Sequence, residues 1–193
     1  MNLQPSHSQA PSEWVRRHAA LLTPGGRVLD LACGTGRHAR LLRDLGHRVV
    51  AVDRDALALA ALEGEAGIEV LRADLESAPW PFAPQSFDAV VVSNYLHRPL
   101  FGPLCEALRQ GGVLIYETFA AGNARYGRPS NPAFLLRRDE LLTLVGPLQV
   151  VAFEQGIIHA PKPAVVQRIC AVRTLEPVDL PCGLPVAQRG ALG

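Results

Sequence analysis

One short run of the chain combines an acidic residue with closely spaced small residues. In the run VLDLACGTG, Asp30 is followed by Ala32, Gly34 and Gly36. Glycine has no Cβ atom, so the backbone can turn tightly and a ligand can approach it closely. The N-terminus of a helix beginning after Gly36 would favour a negatively charged group. These residue types predict a loop that binds a polar small molecule.

Two further acids follow the next two apolar runs. Asp53 ends the first of them and Asp74 comes just after the second. A carboxylate at the end of the second strand can accept hydrogen bonds from ribose hydroxyls, and ligands of doubly wound sheets bind at the carboxyl ends of the strands. We therefore expect Asp30, Asp53 and Asp74 to face one site.

Two interpretations of the glycine loop compete. The run GTGRHA from Gly34 to Ala39 satisfies the dinucleotide fingerprint G-x-G-x-x-A, a weak signal by itself. The alternative is D-x-A-x-G-x-G from Asp30 to Gly36. An acid at the end of the first strand would repel a pyrophosphate and attract an amino group, and Asp74 adds a polar group at the third strand. We favour the second interpretation and rank a nicotinamide-dependent oxidoreductase lowest.

The elements that position these acids alternate between strands and helices. Short, continuously apolar strands separated by helices are typical of a parallel sheet covered on both faces. The chain closes with one helix and two strands close in sequence, which pair antiparallel more easily. We predict a Rossmann-like, doubly wound α/β fold with a seven-stranded, mostly parallel sheet and an antiparallel edge strand, in a single domain. The predicted strands are 27–31, 48–52, 68–72, 89–93, 113–118, 148–153 and 165–173, and the predicted helices are 12–22, 37–45, 56–63, 103–109 and 139–145.

Length and composition limit the class of protein. The 193 residues are 48% hydrophobic and 19% charged, which excludes a disordered chain. We predict a disordered N-terminus over residues 1–11, one domain over 12–174 and an irregular C-terminal tail over 175–193. The net charge of +1 gives no global field for nucleic acid or an anionic membrane. The apolar runs are shorter than the ~18 residues of a membrane span.

The cysteines and the N-terminal residues bear on the compartment. The four cysteines show neither CxxC pairs nor metal-ligand spacing with histidine. The polar start of the chain has no apolar stretch typical of a signal peptide. We therefore expect a reduced, cytoplasmic protein with no metal and no membrane partner.

The run VLDLACGTG, with Asp53 and Asp74, resembles the class I S-adenosylmethionine-dependent methyltransferases over roughly residues 12–173. Ala32 stands where that motif has its first glycine. The long loop after GGVLIYETF is similar to that of small, tellurite-resistance-type methyltransferases. The resemblance implies S-adenosylmethionine as cofactor and methyl transfer by in-line displacement.

The resemblance also implies which residues bind the cofactor. Asp30 and the backbone of Ala32, Gly34 and Gly36 would line its methionine part, and the Ser93 carbonyl would accept from its ammonium group. Asp53 would bind both ribose hydroxyls. The adenine would be contacted by Asp74, the Leu75 backbone and the stem or guanidinium plane of Arg54.

Candidate acceptor residues follow the fourth and fifth strands. Asn94 and Tyr95 can hydrogen-bond an acceptor. His97 is the candidate general base, because imidazole is the side chain that ordinarily exchanges protons near neutral pH; the alternative is that it caps or packs at the following helix. Glu117 could bind a cationic acceptor, act as a base or pair with Arg98.

The stretch 119–138 is long for a connection between a strand and a helix. We predict a lid over the acceptor, in which Arg125, Tyr126 and Arg128 suit an anionic group; the alternative is a solvated loop.

Because the chain carries nearly zero net charge, we expect a small-molecule acceptor. The alternatives are RNA methylation, supported by Arg125, Arg128, Arg137 and Arg138 alone, and a catalytically inactive cofactor-binding protein. The sequence gives no prediction of oligomeric state.

Overall fold

A computed structural model describes residues 10–179. Seven strands form one sheet in the order β3-β2-β1-β4-β5-β7-β6. The strands are β1 (Arg27–Leu31), β2 (Arg48–Asp53), β3 (Ile68–Arg72), β4 (Phe87–Ser93), β5 (Leu108–Phe119), β6 (Gln149–Ile158) and β7 (Ala164–Val172). The helices are α1 (Glu13–His18), α2 (Arg37–Asp44), α3 (Ala56–Ala60), α4 (Phe101–Ala107) and α5 (Glu140–Leu144).

The strand pairing confirms the predicted fold. β1 to β5 are mutually parallel, whereas β7 is antiparallel both to β5 and to β6. Only β7 therefore runs against the others, and it lies second from one edge of the sheet. The closely spaced last two strands form the antiparallel pair that their short connection predicted.

Helices bury both faces of the sheet, as the continuously apolar strands predicted. On one face α1, α2 and α3 pack over Val28, Val49 and Ile115. On the other face α4 and α5 pack over Leu29, Val90 and Leu114. Because successive strand residues point to opposite faces, a parallel strand buried on both sides contains no polar alternation.

The predicted helix 103–109 is wrong at its end. Helix α4 stops at Ala107 and β5 already begins at Leu108, which pairs with Phe87 of β4. The Arg173 guanidinium donates to the carbonyl oxygens of Cys105, Glu106 and Leu108, at 3.2, 3.0 and 2.8 Å. These long-range bonds satisfy the carbonyls at the helix end that would otherwise favour another turn.

The described residues include no helix long and apolar enough to cross a membrane. Most of the predicted disordered N-terminus and irregular tail lie outside residues 10–179, so the predicted domain boundaries stay predictions.

The stretch 119–138 is held in place by a partly buried ion pair between Arg98 and Glu140. Arg98 donates from Nε to Glu140 Oε1 at 2.8 Å and from Nη2 to Glu140 Oε2 at 2.9 Å. The same guanidinium donates to the backbone oxygens of Ala133 and Leu135, at 2.8 and 2.9 Å. The Glu140 side chain is 6% exposed, so its charge depends on these donors. This pair fixes the second half of the stretch to α5.

The two glycines of the loop before α2 have different surroundings. Both have positive φ, 55° at Gly34 and 80° at Gly36. A Cβ atom on Gly36 would lie 2.3 Å from Leu62 Cδ2, whereas a Cβ atom on Gly34 would meet nothing within 4 Å. Gly36 therefore serves packing, and Gly34 leaves space above the loop.

Replacing Gly36 should destabilise the fold more than replacing Gly34. Gly36→Ala adds a clash with the buried Leu62 side chain to the cost of a left-handed alanine, so we expect a loss of ~3 kcal/mol in unfolding free energy. Gly34→Ala carries only the backbone cost, ~1 kcal/mol. Urea unfolding measures both, and equal losses would contradict the assignment.

Glu140→Gln should remove part of the acid sensitivity of the fold. Arg98, by its hydrogen bonds, lowers the pKa of Glu140 to about 2. A lowered carboxyl pKa stabilises the fold above the unfolded value and loses that effect as the pH falls. We expect Glu140→Gln to cost ~2 kcal/mol at pH 7 and to flatten the decline of unfolding free energy between pH 4.5 and pH 2. Glu13→Gln removes an exposed pair with Arg16 and should change neither the unfolding free energy at pH 7 nor its decline at low pH. If the unfolding free energy of Glu140→Gln falls between pH 4.5 and pH 2 as steeply as that of the parent protein, the proposed role of the Arg98–Glu140 pair is contradicted.

Candidate functional site

A cavity of ≈ 350 Å³ opens at the carboxyl ends of β1 to β5. This is the edge where the sequence predicted the site. Its volume lies at the lower end of the range for small-molecule sites. The cavity is lined by Leu31, Ala32, Val52, Asp53, Arg54, Ala73, Asp74, Leu75, Glu76, Asn94, Tyr95, Leu96, Thr118, Phe119, Pro129 and Phe134.

The glycine loop is held to the end of β2 by Asp53. Asp53 Oδ2 accepts a hydrogen bond from the Gly34 amide at 2.8 Å, and Oδ1 accepts from the Asp55 amide at 2.9 Å. Each carboxylate oxygen retains a second acceptor position. Ala32, at the first glycine position of the motif, has a φ of 54° and lines the cavity.

Asp30 lies beside this loop and is buried, with 1% of its surface exposed. Among the residues that the structure describes, none hydrogen-bonds its Oδ2 atom. Burial raises the pKa of Asp30 to about 7, against the opposing effect of a backbone hydrogen bond from Ala39. A buried carboxyl group with a free oxygen favours a cationic or hydrogen-bond-donating ligand.

The end of the cavity beside β2 and β3 is strongly polar. Asp74 Oδ1 accepts from the Glu76 amide at 3.1 Å. Burial, together with the Glu76 carboxylate to which its hydroxyl bonds, raises the pKa of Tyr95. Arg54 and Leu75 complete this wall. The cavity thus brings together seven predicted site residues, whereas Asp30, Gly34, Gly36 and Ser93 do not line it; the seven are Ala32, Asp53, Arg54, Asp74, Leu75, Asn94 and Tyr95.

Ser93 and Glu117 belong to a polar row that crosses the sheet on the α1–α2 side. Arg37 Nη2 donates to Ser93 Oγ at 3.0 Å, and Ser93 Oγ donates to Glu117 Oε1 at 2.9 Å. Glu117 Oε2 lies 3.2 Å from Arg168 Nε. The suggested pair between Glu117 and Arg98 is therefore wrong, because Arg98 is engaged by Glu140.

The segment after β4 brings some of the predicted acceptor residues to the cavity. Asn94 and Tyr95 line it, and Asn94 has a φ of 58°. His97 is half-buried and precedes a 3-10 turn over Arg98–Leu100, with its carbonyl oxygen accepting from the Leu100 amide at 3.1 Å. Its side chain is not among the groups that line the cavity. Its role as a base stays a prediction.

The arginines predicted for the lid do not face the cavity. Arg125, Tyr126 and Arg128 are exposed, and Arg125 lies 5.9 Å from the Tyr126 ring centre. Pro129 and Phe134 supply the loop's contribution to the cavity instead. Arg128 lines a second, shallower hollow of ≈ 400 Å³, which we call the outer hollow. It is formed by Arg128, Pro129, Ser130, Asn131 and Phe134.

Asn123 is a supporting residue that the sequence did not indicate. It is 1% exposed. Its Nδ2 donates to the Pro129 carbonyl at 3.1 Å, and its Oδ1 accepts from the Val165 amide at 3.1 Å. An asparagine in a Gly- and Pro-rich stretch is ordinary turn composition, so its sequence carried no signal of burial.

Comparisons with known proteins agree with the motif and the fold. A family profile described as a methyltransferase domain matches residues 28–112. A probable S-adenosylmethionine-dependent methyltransferase of Mycobacterium tuberculosis is 31% identical over 166 residues, covering 77% of this chain and 60% of that protein. A malonyl-[acyl-carrier protein] O-methyltransferase of Serratia marcescens is 35% identical over 104 residues, covering 52% and 41%.

Among solved structures, TehB from Haemophilus influenzae is similar in fold, with a TM-score of 0.72 at 19% identity over 87% of this chain and 64% of that one. The chain spans 41% and 60% of the length of the two curated relatives described above. Motif, strand order and relatives agree: the chain is similar to the class I S-adenosylmethionine-dependent methyltransferases in its methyltransferase-domain match over residues 28–112 and in its fold.

Proposed function

We propose that the chain transfers a methyl group from S-adenosylmethionine to a small-molecule acceptor. The observation that carries the proposal is the buried Asp30 carboxyl with its unpaired oxygen, beside a glycine loop with open space above Gly34. S-adenosylmethionine, on which the similar Mycobacterium tuberculosis protein is named as dependent, carries an amino group and a ribose diol, which suit acids at these positions.

The cofactor would span the polar end of the cavity. Asp30 would face its ammonium group, together with the Ser93 carbonyl and the backbone of Ala32, Gly34 and Gly36. Asp53 has acceptor positions left for the ribose hydroxyls. Asp74, the Leu75 backbone and the Arg54 stem would contact the adenine, and their place in the cavity wall supports these roles.

When bound, S-adenosylmethionine supplies a methyl group that is already activated on a sulfonium. The chain's own work is then positioning and exclusion of water. Leu31, Leu96 and Phe119 give apolar walls, and Asn94 and Tyr95 would orient the acceptor. The base roles of His97 and Glu117 stay predictions. The Glu117 carboxylate already accepts from Ser93 and pairs with Arg168.

Calorimetric titration with S-adenosylmethionine and with S-adenosylhomocysteine tests the cofactor site. We expect micromolar binding of both, weakened at least ~30-fold by Asp53→Ala, since hydrogen bonds to a charged group contribute ~2 kcal/mol. Asp55→Ala is the matched control: Asp55 caps α3 at the neighbouring exposed position and does not line the cavity.

Failure of both compounds to bind the parent protein would contradict the proposed function. Binding of S-adenosylmethionine with no transfer of its labelled methyl group to any acceptor of a test panel would favour the inactive cofactor-binding protein.

Asp30→Asn should separate stability from binding. A carboxyl whose pKa is raised on folding destabilises the folded state as the pH rises from the unfolded value to about 7. We expect the cofactor-free variant to gain ~2 kcal/mol in unfolding free energy at pH 8, with no gain at pH 4, while losing cofactor affinity. Asp44→Asn, on the exposed end of α2, should change neither the unfolding free energy nor the cofactor affinity. If Asp30→Asn is less stable than the parent protein at pH 8, the argument from burial is contradicted.

A further inference from the structure

The lining of the cavity is divided along the sheet. Its carboxylates and its arginine all lie at the end of β2 or just after β2 or β3, and they are Asp53, Arg54, Asp74 and Glu76. At the other end the lining comes from Thr118 and Phe119, which end β5, and from Pro129 and Phe134 in the loop behind it, so the uncharged Thr118 is the one polar side chain among these four. Because β3 and β5 lie on opposite sides of β1 and β4 in the strand order, the polar and apolar ends are well separated.

Phe134 is a large apolar side chain that the fold leaves 52% exposed at this apolar end. It lines both the cavity and the outer hollow. Covering an exposed aromatic ring is favourable by ~25 cal/mol per Å² of apolar surface. A ligand that packs on the ring would gain this stabilisation.

The backbone beneath Phe134 is firmly held. Arg98 binds the carbonyl oxygens of the residues on either side, Ala133 and Leu135. Asn131 Oδ1 accepts from the Ala133 amide at 3.0 Å. Beyond it, Leu136 bridges to Ala120 at the end of β5. A ring on a fixed support costs little ordering when a ligand binds.

The arginines of the same loop lie outside this apolar end. Arg125 is exposed, with its Nε donating to the Gly122 carbonyl at 3.4 Å. Arg128 lines the outer hollow and not the cavity. An anionic group of an acceptor would have to move away from these guanidinium groups and lie against apolar side chains. Burying a charge without a partner is unfavourable in free energy.

We propose that the acceptor is a small molecule with an uncharged apolar body, a ring or a branched alkyl group, that packs against Phe119, Pro129 and Phe134. This inference rests on the proposed function, because it assigns the polar end of the cavity to the cofactor. It replaces the anionic acceptor that the arginine-rich loop predicted.

The test compares two probes that share one ring system, 2-naphthol and 2-naphthalenesulfonate. Each is titrated by calorimetry into protein saturated with S-adenosylhomocysteine. We expect 2-naphthol to bind the more tightly of the two. Phe134→Ala should weaken 2-naphthol about tenfold, the loss of roughly half an aromatic side chain's burial. Phe134 is half exposed, so this variant should fold.

Two control variants sharpen the comparison. Leu57→Ala removes another exposed apolar side chain, 88% exposed on α3, and should leave 2-naphthol binding unchanged. Arg128→Ala should leave both affinities unchanged. Tighter binding of the sulfonate that Arg128→Ala abolishes would overturn the inference in favour of an anionic acceptor.

The initial titration with S-adenosylhomocysteine distinguishes a failure of the proposed function from a failure of the apolar acceptor end. Absence of S-adenosylhomocysteine binding would refute the proposed function. Binding of S-adenosylhomocysteine with no affinity for 2-naphthol, or with equal affinity in Phe134→Ala, would refute the apolar acceptor end while leaving the cofactor site intact.

Discussion

The hydrogen bond from the Gly34 amide to Asp53 joins the two elements on which the site depends. It ties the loop after β1 to the end of β2, while the other oxygen of Asp53 holds the Asp55 amide at the start of α3. The packing of Leu62 against Gly36 fixes the far side of the same loop. The loop is therefore formed before any ligand arrives, and little ordering remains to oppose binding.

Burial of the Asp30 carboxyl beside this loop is unfavourable for the stability of the free protein. The hydrophobic core around β1 places it out of water, and the described residues leave one of its oxygens unsatisfied. A fold under selection for stability alone would place an apolar residue there. The group is explained if a ligand supplies the missing partner, because an unsatisfied buried oxygen of the free protein would then be hydrogen-bonded in the complex.

The sequence predicted the sheet well, and it placed acids at the edge of the sheet where the cavity opens, because both signals are local. Continuous apolar runs mark buried parallel strands, and acids at strand ends must meet at one edge. The other end depends on contacts that no local pattern reports. The Arg98–Glu140 pair spans 42 residues, and Asn123 reaches Val165. For the same reason the loop's composition pointed to its arginines, whereas the fold presents Pro129 and Phe134 to the cavity.

Backbone strain marks the same place as the chemistry. Ala32 and Asn94, two of the non-glycine residues with positive φ, directly follow β1 and β4. These neighbouring strands are where the strand order reverses direction, the point at which doubly wound sheets bind ligands. A left-handed alanine costs ~1 kcal/mol or more, and such residues persist only where the surrounding structure fixes them. The sheet on either side supplies that support, so the strained turns hold the polar and apolar ends of the cavity in one fixed relation.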